Sequence, residues 1–251
     1  MDLQKASVMK RLAAWLLDTI LVCVLTVGFM VILSAVLRYD HHYDILQAGY
    51  ARYEQQYGVE LEITPEAYEA MTEAQRENYD AAHSAINEDE ELVGTYNLVL
   101  SMSLVITTVS ILLGVMVMEF VVPLFLKNGQ TIGKKAFSIG LVRVDGVKVT
   151  TLQMFVRSLL GKYTVETMIP VYIVMMFLWD AMDITGTVVI CGLALLQLVC
   201  IIVNPHNALI HDLMAGTVAV DISSQKIFQS TDELIEYTKR IAAERAQRQD
   251  Y

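Results

Sequence analysis

Arg11-Leu-Ala-Ala-Trp-Leu-Leu-Asp18 opens an apolar run that continues to Leu37. Arg11 stands at the edge of the run and Asp18 lies inside it. About 20 consecutive apolar residues cross the hydrocarbon core of a bilayer as a helix, and residues 12–37 exceed that. A carboxylate in such a setting costs on the order of 3 kcal/mol, so Asp18 calls for a partner. The run is too long for the apolar part of a secretory signal, and Asp18 interrupts it. It reads as an uncleaved first membrane helix.

Three further runs share its character, at roughly 94–126, 164–180 and 186–203, the run at 164–180 being the shortest. They are continuous rather than alternating with period two, which argues against a closed barrel. Hydrophobic content of 55% and a mean hydropathy of +0.45 fit the same class. The expected fold is an all-α polytopic membrane protein of about four transmembrane helices. Its segments are 1–37 with the first helix, an acidic insertion at 38–92, and the second helix in 93–126. A basic loop at 127–163, helices three and four in 164–203 and a terminal segment at 204–251 complete it.

Charge orients these segments. Lys5, Lys10 and Arg11 precede the first run. Residues 38–92 carry Arg38, Arg52 and Arg76 against 14 acidic side chains. Residues 127–162 carry seven basic side chains against Asp145 alone, and the tail after residue 204 carries five. Basic loops stay cytoplasmic. The expectation is a multi-pass protein of the cell membrane with both termini and the 127–163 loop cytoplasmic. The 38–92 insertion and the 181–185 turn then lie outside. The basic loop implies no nucleic acid, because anionic headgroups at a membrane surface already account for it.

The insertion reads as helical. Tyr43, Tyr50 and Tyr57 recur every seven residues with Leu46 and Tyr53 between them, one helical stripe that Gly58 ends. Thr64-Pro65 starts a second helix expected to run from Glu66 to Glu91. The two are expected to pack their tyrosine faces together, as a solvated hairpin or as a cap that docks an extracytoplasmic partner. On the basic side, Ser138–Val144 alternates, Asp145-Gly146 is a hairpin turn signal, and Lys148–Thr151 returns. Thr217–Ile222 is another β-type run. A small cytoplasmic hairpin or three-stranded sheet is expected, followed by an amphipathic interfacial stretch at 152–163. Asn204-Pro205 ends the fourth run. A short helix bearing His211 and Asp212 follows, closed by Gly216, and Ser230 with Glu233 opens a charged terminal helix.

Arg11 and Asp18 share a helix face but sit two turns, or ~10 Å, apart, too far for a simple ion pair. Candidate partners for Asp18 are Arg157, Lys134, Lys135 or a polar neighbour. Asp212 can pair with Arg11 or Arg157, and Glu119 joins from the second run. Gly129-Gln-Thr-Ile-Gly133-Lys134-Lys135 has three residues between its glycines and Lys135 after the lysine, so it fails the phosphate-loop pattern. It reads instead as a tight turn that places Lys134 and Lys135 on headgroups. Cys23, Cys191 and Cys200 have no metal or disulfide spacing and read as small packing residues. His41-His42 lacks further ligands at metal spacing. No nucleophile–base arrangement is present, so the chain is not expected to be an enzyme, and nothing calls for a cofactor.

This pattern resembles the RDD family of small membrane proteins, named for one arginine and two aspartates. Arg11, Asp18 and Asp212 match those positions. Gly129–Lys134 with Glu119 upstream resembles the family's central loop, and Asn204-Pro205 leading to His211-Asp212 resembles its end. The resemblance covers about 1–37 and 94–222. It leaves out the acidic insertion and the charged tail. It implies little about activity, since only some members are described as monovalent cation/proton antiporters. Two readings stand. In one, Asp18 titrates during cation/proton exchange with Glu119 and Asp212 as helpers, in a homo-oligomer. In the other, Arg11, Asp18, Asp212 and Arg157 form a structural cluster in a non-enzymatic accessory or sensor protein.

Overall fold

The computed structural model describes residues 3–178, 184–204 and 208–249. The chain is mostly helical and divides into two compact units, one of residues 1–26 with 111–251 and the other of residues 27–110.

Among the described residues, two helices have the length and apolarity to cross a membrane: α1 (Val8–Leu37) and α5 (Glu90–Phe125). Both are leucine-, valine- and isoleucine-rich without a polar stripe. The apolar face of α1 points outward, with Val24, Val31 and Val36 all about two-thirds exposed. An unbroken apolar surface of this kind suits lipid rather than water.

The 27–110 unit contains α2 (Tyr39–Tyr57), α3 (Pro65–Glu69) and α4 (Glu73–Glu88) between α1 and α5. Gly58 closes α2 in the left-handed conformation, and Thr64 caps α3 with Pro65 in its first turn. The single helix expected over 66–91 is broken. Thr72 and Gln75 form a capping box that starts α4 afresh. Leu46, Ile86, Leu92 and Val99 form the core, with Tyr39, Tyr50 and Tyr53 against it. Tyr43, on the expected stripe, is exposed. Asp89 joins the unit's corner. It accepts from Tyr53 Oη and Arg52 Nη2 and from the first backbone amides of α5.

In the other unit, α6 (Ile132–Ala136) leads into β1 (Ile139–Arg143), which pairs antiparallel with β2 (Thr217–Asp221) in the register Leu141↔Ala219. The sheet has two strands, a correction to the expected hairpin or three-stranded sheet. The return of the hairpin makes one bridge, Val142↔Lys148. The chain then turns away because Thr150 and Gln153 form a capping box that begins a helix. Residues 4–6 instead line the outer edge of β2, with Asp221 N donating to Gln4 O and Ala6 N to Ala219 O. Both sheet faces are covered, Ile139 and Leu141 packing with Ala14 and Met154 on one side and Val142, Val218 and Val220 with Leu3 on the other.

That helix, α7 (Thr151–Phe155), runs on through a wide π-helical segment (Val156–Met168) into α8 (Ile169–Leu178). The interfacial stretch and the third apolar run are thus one continuous helical rod. Then follow α9 (Ile184–Val203), α10 (Ile210–Ala215, closed by left-handed Gly216) and α11 (Thr231–Gln249). Part of the turn expected at 181–185 lies outside the described residues.

Candidate functional site

Asp18 is fully buried, and its partner is a helix end rather than a cation. Thr131 is the N-cap of α6. Its hydroxyl donates to Asp18 Oδ2 at 2.5 Å and accepts from the Lys134 amide. The Gly133 amide donates to Asp18 Oδ1 at 2.7 Å. A carboxylate at a helix N-terminus satisfies amides that have no partner inside the helix. The approach depends on Gly133, since a Cβ there would lie 2.3 Å from the Ala14 carbonyl oxygen. Arg157 and Lys135 do not meet Asp18.

The other charges form a continuous buried chain. Arg157 lies between two carboxylates: its Nε donates to Asp212 Oδ1 at 2.9 Å, and its Nη1 stands 3.6 Å from Glu119 Oε2. Glu119 sits in a π-helical turn of α5 (Val117–Val121) and also takes Lys162 Nζ and, at 3.4 Å, Lys134 Nζ. Ser158 Oγ donates to the Glu119 carbonyl. Asp212 also accepts from Thr217 Oγ1 at 3.1 Å and reaches Arg11 Nη2 at 3.5 Å. Asp212 therefore meets both arginines suggested for it. Lys134 corrects the headgroup expectation: its first-turn position in α6 aims it at Glu119 and buries it, while Lys135 on the other face is exposed. Cys23 and Cys191 are free and exposed, not packing residues.

Burial would raise the Asp212 carboxyl, but the Arg157 and Arg11 guanidinium groups outweigh it and hold Asp212 well below the usual carboxylate range. Burial likewise opposes the Arg157 charge, and Asp212 and Glu119 reverse that, keeping it above its ordinary value. Lys134 is pushed down to about 8 by burial, against the pull of Glu119.

Sequence reasoning missed a further pair. Glu166, in the π-helical segment, receives the His211 ring Nδ1 at 2.7 Å and the His211 amide at 3.2 Å. Burial and then Arg157 lower the His211 pKa, so the neutral ring donates from Nδ1. Gly161 lets α10 approach, since a Cβ there would lie 2.6 Å from His211 Cα. The one available signal was Glu166 itself, an acid in an apolar run.

Residues of this cluster line a cavity of about 480 Å³. Its lining includes the polar Arg11, Lys134, Arg157, Lys162, Glu166 and Asp212 and the apolar Val8, Leu12 and Trp15 of α1.

The RDD family model matches residues 5–216, most of the chain, including every charge of the cluster. The chain belongs to the RDD family. Membership, together with two helices of membrane-spanning length, makes this a membrane protein. No curated protein and no solved structure matches the chain.

Proposed function

We propose, taking membership of the RDD family as the premise, that this chain is a non-enzymatic multi-pass accessory protein whose buried charges are structural. In this reading they fasten the small sheet and its flanking helices to the membrane helices. The chain crosses the membrane four times, both termini are cytoplasmic, and the 38–92 cap meets an extracytoplasmic partner. The observation that carries the reading is the engagement of Asp18. Both of its oxygens accept from the first turn of α6, so it is committed to holding that helix. A carboxylate that exchanges its proton for a cation needs oxygens open to either.

The second reading is exchange of a monovalent cation for a proton. It is favoured by Glu166 with His211, a carboxylate–imidazole pair beside the cavity. One experiment separates the two. Wild type and Asp18→Asn are reconstituted in vesicles, and sodium-driven proton movement is followed with a trapped pH dye beside folded yield and melting temperature. The structural reading expects lower yield and melting temperature for the variant, with no sodium-driven flux from either protein. Wild-type flux that disappears in a variant of unchanged stability overturns it.

A further inference from the structure

The cavity has a polarity that the structural reading does not use. Its carboxylates are already engaged. Asp18 takes Thr131 and Gly133, Glu166 takes His211 through both oxygens, and Asp212 takes Arg157, Thr217 and Arg11. The cations keep donors to spare. An ammonium has three N–H groups and a guanidinium five. Among the described residues, Lys162 Nζ is placed on Glu119 alone, and Arg157 commits Nε and Nη1 to its two carboxylates. A cation entering here meets oxygens already in use, whereas an oxyanion meets buried N–H donors in low dielectric, where charge-assisted hydrogen bonds are strongest.

Part of the lining is apolar and open. Val8, Leu12 and Trp15 lie on successive turns of α1 and are each about half exposed. They continue into the outward apolar surface of α1. Tryptophan at the end of such a helix is the residue type found at the headgroup level of bilayers, and basic pockets beside membrane helices suit phosphate headgroups. A volume of about 480 Å³ is in the range of small-molecule sites.

We propose that this cavity binds the phosphate headgroup of an anionic amphiphile, with Lys162 and Arg157 donating to the phosphate and the acyl chain lying along Val8, Leu12 and Trp15. The assignment goes beyond the structural reading and holds whether or not the protein moves ions.

The test uses the full chain purified in neutral detergent, with retained ligand measured by native mass spectrometry and titration. The probes are dioleoylphosphatidylglycerol, dioleoylglycerol as the same chains without phosphate, and glycerol 3-phosphate as the headgroup without chains. The expected result is binding of the phosphatidylglycerol at least tenfold tighter than either fragment. Lys162→Gln weakens it about tenfold, and Lys162→Arg restores it. Because Lys162 also touches Glu119, a second variant keeps the test sound if Lys162→Gln fails to fold. Trp15→Ser, on the exposed wall, weakens phosphatidylglycerol severalfold and leaves glycerol 3-phosphate unchanged. Equal binding of phosphatidylglycerol and dioleoylglycerol overturns the phosphate site. Equal binding of phosphatidylglycerol and glycerol 3-phosphate overturns the amphiphile. Unchanged phosphatidylglycerol binding in a folded Lys162→Gln or in Trp15→Ser overturns the placement.

Discussion

At the scale of single residues, the charges that stand out in apolar sequence also come together in space, Asp212 and Glu119 with cations as their signs suggest and Asp18 with a hydroxyl and an amide instead. Gly133 is the sharpest test. Gly133→Ala forces a Cβ against the Ala14 carbonyl and the Asp18 carboxyl, and overpacking of this kind costs about 1–3 kcal/mol. A melting temperature equal to wild type in detergent would contradict the close approach. Arg157 is the second test. Arg157→Met leaves Glu119 and Asp212 without their shared cation, and breaking a buried pair costs about 3–5 kcal/mol. Arg157→Lys should fall between, because a lysine cannot present the same fork of donors to two carboxylates. Equal stability of Met and Lys variants would remove the bridging role. Arg11, Asp18, Glu119, Arg157 and Asp212 were legible because charge in an apolar setting is conspicuous. Thr131 and Gly133, which answer Asp18, were not. A neutral hydroxyl and a backbone amide leave no mark in composition, and only the fold of α6 turns them toward α1.

At the scale of elements, the glycines decide how closely helices approach. Gly161→Ala sets a methyl group 2.6 Å from the His211 backbone, whereas the exposed Gly192 in α9 has nothing within 4 Å. The first substitution is expected to lower stability by about 1–3 kcal/mol. Gly192→Ala is expected to raise it by up to about 1 kcal/mol through helix propensity. Thermal unfolding of the two variants side by side checks the contrast, and a destabilised Gly192→Ala would show that the outer face of α9 is packed. Turn and cap signals were readable at this scale: Gly58, Thr64-Pro65 and Gly216 each end or begin a helix where their chemistry dictates. The π-helical segment Val156–Met168 was not readable. Apolar periodicity does not distinguish its wider turn, which brings Arg157, Lys162 and Glu166 to bear on three different partners. The strand partner of β1 was also obscure, since a hairpin signal at Asp145-Gly146 points to a local return while the covered sheet faces favour the distant Thr217–Asp221.

At the scale of the whole molecule, buried ionisable groups set the response to pH. His211 has a folded pKa below its ordinary value. The unfolded chain therefore takes up that proton first, so stability is complete above about pH 6.5 and is lost as pH falls below it. Asp212, also lowered, acts in the same direction but only in much stronger acid. The melting temperature in detergent is expected to drop between pH 7 and pH 5, and His211→Gln is expected to flatten that drop. A wild-type melting temperature constant across the interval would exclude a neutral buried His211.

The edge of the small sheet joins segments more than 200 residues apart. Gln4 donates its amide to the side chain of Gln225, 221 residues later, and the backbone of residues 4–6 lies along β2. At ribosomal speeds of about 5–20 residues per second, those partners emerge roughly ten to forty seconds apart. During that interval the residues along the sheet edge, β1 and the ammonium of Lys10, whose partner is Asp221, all wait for mates that do not yet exist. Assembly is thereby a closing operation. The segment made late locks the segments made early, and any product cut short before β2 carries open backbone edges and unanswered charges that mark it as unfinished.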